Sequence, residues 1–189
     1  MNMLGFLLDR SAMLVKRWAS PPAKIQQEND AEHHAQTSRV AYSLAWLVRH
    51  HGIRHRGVHP ETVAVAASVH DEPEIMTSDL PATLKNLFAD VRRTTTRWER
   101  RALPFLFEGA PAPLAEHLRE VVVHANDYSK FPGQIIRYAD DLSALAFAEA
   151  EVRLGNTDMP TTRDNILAVA GSREWTWLRK LRRFYPELP

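Results

Sequence analysis

An almost wholly apolar run, residues 63–69, passes without a break into His70-Asp71-Glu72-Pro73-Glu74. This junction constrains the chain more than any other stretch. A solvated loop has no need to start from so dry a run; a site that holds a cation and directs a water molecule does. Residues 69–85 carry one histidine, four carboxylates (Asp71, Glu72, Glu74, Asp79) and Lys85. Upstream, Pro60-Glu61 opens a helix with proline in its first turn. The small and apolar residues from Thr62 predict a central, buried helix through Asp71, with His70 and Asp71 at its C-terminal end. Pro73 biases Glu72 away from helix, so residues 74–79 combine a helical turn with a loop.

Composition narrows the function classes. A chain of 189 residues can form one domain with a sizeable core, or at most two small ones. A net charge of +1 argues against a protein built mainly to grip nucleic acid or an anionic membrane. With no cysteine there is neither a disulfide framework nor a thiolate zinc site, which fits a reducing cytoplasm. Seven glycines against abundant Ala, Leu, Glu and Arg favour helix. No apolar stretch approaches the roughly 20 residues that span a bilayer. Asp9 and Arg10 cut off the short apolar N-terminus, which also lacks a basic flank, so no signal peptide is expected.

The remaining segments read as helices joined by proline- and glycine-rich breaks. Residues 4–18 place Leu4, Leu7, Leu8, Leu14, Val15 and Trp18 at helical spacing, ending on Arg17-Trp18, a cation and an aromatic that suit a phosphate and a base or sugar. Pro21-Pro22 marks a loop. Asn29 or Asp30 caps a helix over residues 31–51 that carries His33, Val40, Leu44 and Leu47 on one face. His33 therefore faces the core, and His34 lies about 100° around. His50, His51, His55 and His59 interleave with Gly52 and Gly57 and no carboxylate, which reads as a solvated connection. Leu80-Pro81 leads into a helix carrying Lys85 and running to about residue 103. Its basic run, residues 90–101, reads as a solvated face with Val91 and Trp98 turned inward. A helix over 114–125 puts His117 and His124 on one face, where they read as satisfied surface or core histidines rather than as flanks of a site. Phe131-Pro132-Gly133 is a break, followed by a long helix over 134–154 in which Asp140-Asp141 interrupts an apolar, alanine-rich region. A carboxylate there is costly unless paired or bound to a cation; periodicity does not separate the two aspartates. Helices over 162–170 and 174–185 close the chain, the last one docked by Trp175, Leu178 and Leu181.

Gathered together, His33, His70-Asp71 and one of Asp140 or Asp141 supply two imidazoles and two carboxylates from three helices. Such mixed N and O ligation suits Mn²⁺, Co²⁺, Fe²⁺ or Zn²⁺. A metal there would lower the pKa of bound water and polarise a phosphoryl oxygen. Glu74 could accept the water's proton, and Asp79 could orient the water or protonate the leaving oxygen.

The ordered set Arg17-Trp18, Glu28-Asn29, Glu32-His33, His70-Asp71-x-x-Glu74, Thr77-x-Asp79-Leu80-Pro81, Lys85 and Ala139-Asp140 resembles the HD-domain metal-dependent phosphohydrolases, most of all their 5′-deoxynucleotidase branch. Short phage dATP triphosphohydrolases resemble this layout too. The resemblance implies an all-α fold, a single HD-domain helical bundle over residues 1–189 with a core of about 17–156 and the helices of 160–189 packed on it. It implies a divalent metal (Co²⁺, Mn²⁺ or Zn²⁺) on His33, His70, Asp71 and Asp140, the last chosen because the family's aspartate follows an alanine. It implies Glu74 and Asp79 as catalytic residues, Arg17 and Lys85 as phosphate contacts, and Trp18 against the nucleoside. The family has Gly where Ser78 stands and Ser where His34 stands, which bears on loop geometry and substrate size. The expected activity is hydrolysis of a deoxynucleoside 5′-monophosphate. The alternatives are a triphosphohydrolase on the same scaffold, a non-catalytic nucleotide-binding module, and a nucleic-acid or membrane binder acting through residues 175–185. The expected partners are the deoxynucleotide and further copies of the chain, with no stable nucleic acid and no membrane, in the cytoplasm (the host's, if the chain is phage-encoded).

Overall fold

The computed structural model describes residues 13, 15–17, 24–53, 58–77 and 88–189. The expected positions Trp18, Asp79 and Lys85, together with Ser78, His55 and most of the expected first helix, lie outside the described residues. Eight α-helices are described: α1 (Asp30–His50), α2 (Pro60–Ala67), α3 (Glu74–Thr77), α4 (Ala89–Ala102), α5 (Ala112–Ala125), α6 (Phe131–Arg153), α7 (Pro160–Gly171) and α8 (Thr176–Leu181). The all-α expectation holds: among the described residues the only extended pairing is an isolated antiparallel bridge between Lys16 and Asn29.

The core forms where α1, α2 and α6 pack together, with α8 closing one side. Ala41, Leu44, Ala45 and Val48 of α1 meet Val63, Ala66 and Ala67 of α2, Ile135, Ile136, Tyr138 and Ala139 of α6, and Leu178 and Leu181 of α8. Alanine is frequent at these contacts, and a small side chain lets helix axes approach closely. α1 starts on a reciprocal cap. The Asn29 side chain accepts the Glu32 N–H at 3.0 Å, and the Glu32 carboxylate accepts the Asn29 N–H at 3.0 Å. This satisfies two of the donors that a helix start leaves open.

Five boundaries or faces differ from the sequence reading. Residues 15–17 are not helical: Arg17 N–H donates to Glu28 O (3.0 Å) and Asp30 N–H to Val15 O (3.1 Å), which holds this strip extended against the start of α1. α2 stops at Ala67 rather than Asp71, because His70 Nδ1 takes the Ala67 carbonyl (2.7 Å) that a continuing helix would offer to Asp71 N–H. A helix unbroken from residue 80 to 103 is excluded by extended backbone at Phe88 (φ −121°, ψ 103°). Trp98 points outward and is 52% exposed; the face of α4 that turns inward carries the buried Thr95 and Ala102. Finally, Phe131-Pro132-Gly133 is not a break but the first turn of α6, where proline's missing N–H costs nothing. Glycine is required at 133, since a Cβ there would stand 2.3 Å from Asp127 O.

The last helix is only six residues long and starts at Thr176, and Trp175, expected to dock it, is half-buried against the core. Trp177, Leu178 and Leu181 are buried, and Tyr138 donates its hydroxyl proton to Pro189 O at 2.6 Å. His51 hydrogen-bonds the Tyr185 hydroxyl (2.9 Å), whereas His50, His59, His117 and His124 are exposed. No helix among the described residues is long and apolar enough to cross a membrane.

Candidate metal centre

The site is assembled where three elements end or begin. The first turns of α1 supply His33, the turn between α2 and α3 supplies His70 and Asp71, and the middle of α6 supplies Asp140. The capping box fixes where α1 starts and so fixes the rotation that drives His33 fully into the interior. Asn126, just past α5, donates its amide to both His70 O (2.8 Å) and Val122 O (3.1 Å), tying the turn that bears His70 to that helix.

The donor atoms of His33, His70, Asp71 and Asp140 all lie within 4.8 Å of one another. His33 Nε2 is 3.2 Å from Asp140 Oδ1 and 3.7 Å from Asp71 Oδ2, while His70 Nε2 is 3.2 Å from Asp71 Oδ2. The adjacent aspartates separate cleanly. Asp140 turns to the histidines, with its other oxygen accepting Arg137 Nη1 at 2.7 Å. Asp141 turns away and accepts Arg173 through both oxygens, at 2.9 and 3.3 Å.

Two observations show that this group fits a cation. His70 donates Nδ1–H to Ala67 O, so Nε2 is the ring atom aimed at the cluster, and it is buried without a hydrogen bond. A backbone partner that fixes the tautomer is the usual support for a ligating imidazole. The charge balance agrees. Burial opposes a charged imidazole at His70, yet Asp71 beside it outweighs burial and pushes its pKa up to about 9. Burial likewise opposes ionisation of Asp71 and Asp140, but His70 acting on the first, and His33 with Arg137 on the second, hold both well below the ordinary carboxylate range. Two enclosed carboxylates held ionised favour a positive charge between them.

Around the four donors stand Arg17 and Glu74. Arg17 Nη1 lies 3.2 Å from Asp71 Oδ2, 3.7 Å from Asp30 Oδ1 and 3.8 Å from Glu74 Oε2, and the extended strip at residues 15–17 is what brings it there. Glu74 is buried at the first position of α3. His34, expected to lie less deep than His33, is buried as well, with its ring 5.4 Å from that of His70; burial pulls its pKa down to about 3 and leaves it neutral. The sequence reading passed over Arg137, Asn126 and Arg173. Arg137 had a signal, one helical turn before Asp140. Asn126 and Arg173 had none, because their partners are far away in sequence.

The fold has counterparts among solved structures. An HD-domain phosphohydrolase of Listeria innocua superimposes with a TM-score of 0.77 at 20% identity, covering 99% of this chain and 87% of that one. A conserved hypothetical protein of Pyrococcus furiosus gives 0.65 at 18%, covering 99% and 92%. The fold is thus the all-α fold of the HD-domain proteins. A family model described as 5′-deoxynucleotidase YfbR-like matches residues 7–175, and the chain belongs to that family of hydrolases. It is similar to a 5′-deoxynucleotidase of Vibrio vulnificus (28% identity over 153 residues, 81% of this chain and 77% of that protein) and to one of Erwinia tasmaniensis (29% over 175 residues, 89% and 84%).

Proposed function

We propose that the protein hydrolyses deoxynucleoside 5′-monophosphates to deoxynucleoside and phosphate, using a divalent cation held by His33, His70, Asp71 and Asp140. The observation that carries this reading is the convergence of those four donor atoms within 4.8 Å, bordered by Arg17 and Glu74. The relatives' description as 5′-deoxynucleotidases favours a monophosphate over a triphosphate substrate. Co²⁺, Mn²⁺ or Zn²⁺ suits two imidazoles and two carboxylates.

When bound, the cation lowers the pKa of a water molecule and polarises a phosphoryl oxygen. The side chains do the rest. Arg17 offers its guanidinium to the phosphate, and its position among carboxylates keeps it aimed into the site. Glu74 accepts the proton of the attacking water as the new O–P bond forms and the bond from phosphorus to the 5′-oxygen breaks. The family resemblance implies Asp79 as a second catalytic residue, which orients the water or gives a proton to the leaving oxygen, with Lys85 contacting the phosphate and Trp18 packing on the nucleoside. Half-buried Arg137 holds Asp140 so that one oxygen stays free for the cation. We further read residues 1–189 as one HD domain that assembles with copies of itself in the cytoplasm.

The test is a panel of deoxy- and ribonucleotides against Mn²⁺, Co²⁺, Zn²⁺ and Mg²⁺ with product identification. Deoxynucleoside and inorganic phosphate from dAMP are expected. Release of tripolyphosphate from dATP with dAMP untouched would replace this reading with the triphosphohydrolase one. Full metal-stimulated activity in Asp71→Ala would remove the enzyme site altogether.

A further inference from the structure

Helix α4 displays a face that the hydrolytic site does not use. Stepping about 100° per residue, Arg92, Thr96, Arg100, Arg93, Arg97 and Arg101 fill one half of the helix circumference, and the buried Thr95 and Ala102 lie in the other half. Among the described residues, those six line an open depression of about 480 Å³. All five arginines are exposed, and none of their side chains makes an ion pair or hydrogen bond with another described residue. They leave residues 89–102 at a formal +3, against Asp90 and Glu99, in a chain whose total is +1.

A solvated helix face has no reason to be arranged in this way. Arg93, Arg97 and Arg101 repeat every four residues, so like charges stack along one ridge, which destabilises a free helix. Arg92 and Arg93 stand near the helix N-terminus, where the helix dipole disfavours cations; only Arg100 and Arg101 gain from it. The favourable partner is a row of anions. Guanidinium forks match phosphate oxygens in pairs, and the ridge from Arg93 to Arg101 runs about 12 Å, long enough to follow successive phosphates of one strand. The aromatics decide the class of polyanion. Trp98, 52% exposed, stands one turn before Arg101 at the edge of the arginine half, and Phe105, 65% exposed, follows the helix end. Exposed rings beside a basic track give unpaired bases a stacking surface.

We infer that the arginine face of α4 binds single-stranded nucleic acid through its phosphate backbone, with Trp98 stacking on a base. It is a local accessory surface, consistent with a near-neutral chain that is not dedicated to nucleic acid, and it stands independently of the hydrolytic reading.

The test uses the full chain with chelator present, to silence hydrolysis, and a fluorescein-labelled oligothymidylate followed by anisotropy across a salt series. Binding should weaken with salt. The triple substitution Arg93→Gln, Arg97→Gln, Arg101→Gln should flatten the log–log salt slope by about 2, at about 0.7 for each phosphate no longer neutralised, and weaken binding at least tenfold at low salt. Trp98→Ala should weaken binding severalfold with the slope unchanged. Both variants should keep the wild-type circular dichroism spectrum and melting temperature, which shows that they are folded. No binding at low salt, or binding unchanged in the triple variant, overturns the inference. So does equal competition, at matched charge, by polyglutamate (a general acidic-partner face), by inorganic tripolyphosphate (a small-anion site) or by phosphatidylserine vesicles (a lipid surface). Preference for duplex over single strand, with Trp98→Ala silent, overturns the single-strand assignment.

Discussion

Glu151 offers the sharpest test of how the fold positions the site. It is a fully buried carboxylate near the end of α6. Three N–H groups donate to it at 2.7 Å each: the backbone N–H groups of Ile25 and Gln26 and the side-chain amide of Asn156. Residues 25 and 26 lie just before the capping box of α1, so this carboxylate ties the entry of the His33 helix to the far end of α6. Glu151→Ala removes three charge-assisted hydrogen bonds. Each contributes about 1.5–3 kcal/mol, and water reaching the freed N–H groups of exposed residues 25 and 26 recovers part of the loss, so about 3–5 kcal/mol is expected. Glu151→Gln keeps one acceptor oxygen but turns an NH₂ towards a donor, for about 2–3 kcal/mol. Urea denaturation at neutral pH measures both as a shift in midpoint at constant slope. The acid limb gives a second reading. Burial opposes ionisation of Glu151, yet the hydrogen bonds from Ile25, Asn156 and Gln26 hold its pKa below the ordinary 4.5. The unfolded chain therefore binds this proton first. The stabilisation is fully present above about pH 4.5 and is lost as pH falls through the folded-state value. The wild type should lose stability on acidification more steeply than Glu151→Gln. A Glu151→Ala protein within 1 kcal/mol of wild type, or parallel acid limbs for wild type and Glu151→Gln, would refute the reasoning.

Three further outcomes are expected. Asp140→Asn should lose most of its affinity for Mn²⁺ in calorimetry, whereas Asp141→Asn should keep that affinity and lose about 1–3 kcal/mol of stability through the bidentate pair with Arg173; equal metal affinities in the two variants would contradict the division of labour between them. Gly133→Ala forces a Cβ to 2.3 Å from Asp127 O, so the start of α6 must shift. A loss of about 1–3 kcal/mol is expected, read as a lower melting temperature. Asn126→Ala frees the turn bearing His70 from α5 and should lower metal affinity about 10-fold or more, by analogy with other supporting partners of metal ligands; unchanged affinity would show that the turn holds itself.

Much of this architecture was legible because local chemistry set it. Asn29 and Glu32 stand at capping-box spacing, and the helix they start carries His33 inward by simple rotation. The apolar run ending at His70-Asp71 announced a buried site. What escaped the sequence depended on partners distant along the chain. Arg173 is 32 residues from Asp141, so no periodicity could say which aspartate faces the histidines. The strip at 15–17 looked helical by spacing, but pairing with residues 28–30 prevailed. At α4 the rule that the largest apolar residue turns inward failed. The inward face carries Thr95, whose hydroxyl donates to Val91 O within the helix (2.9 Å) and so needs no outside partner. Small side chains there let α4 sit close against α3, and Trp98 was left on the open side.

The four donors of the metal centre come from helix α1, the turn after α2 and helix α6, and they meet only when those elements are docked. No single segment carries more than two of the four donors, the adjacent His70 and Asp71, so the unfolded ensemble offers a cation at most half of the site. If these donors hold a cation as proposed, its occupancy and folding are linked equilibria: a cation at 100 times its dissociation constant adds about 2.7 kcal/mol to the folded state. The melting temperature becomes a function of free metal concentration, and each metal can be ranked by thermal shift without any substrate being turned over.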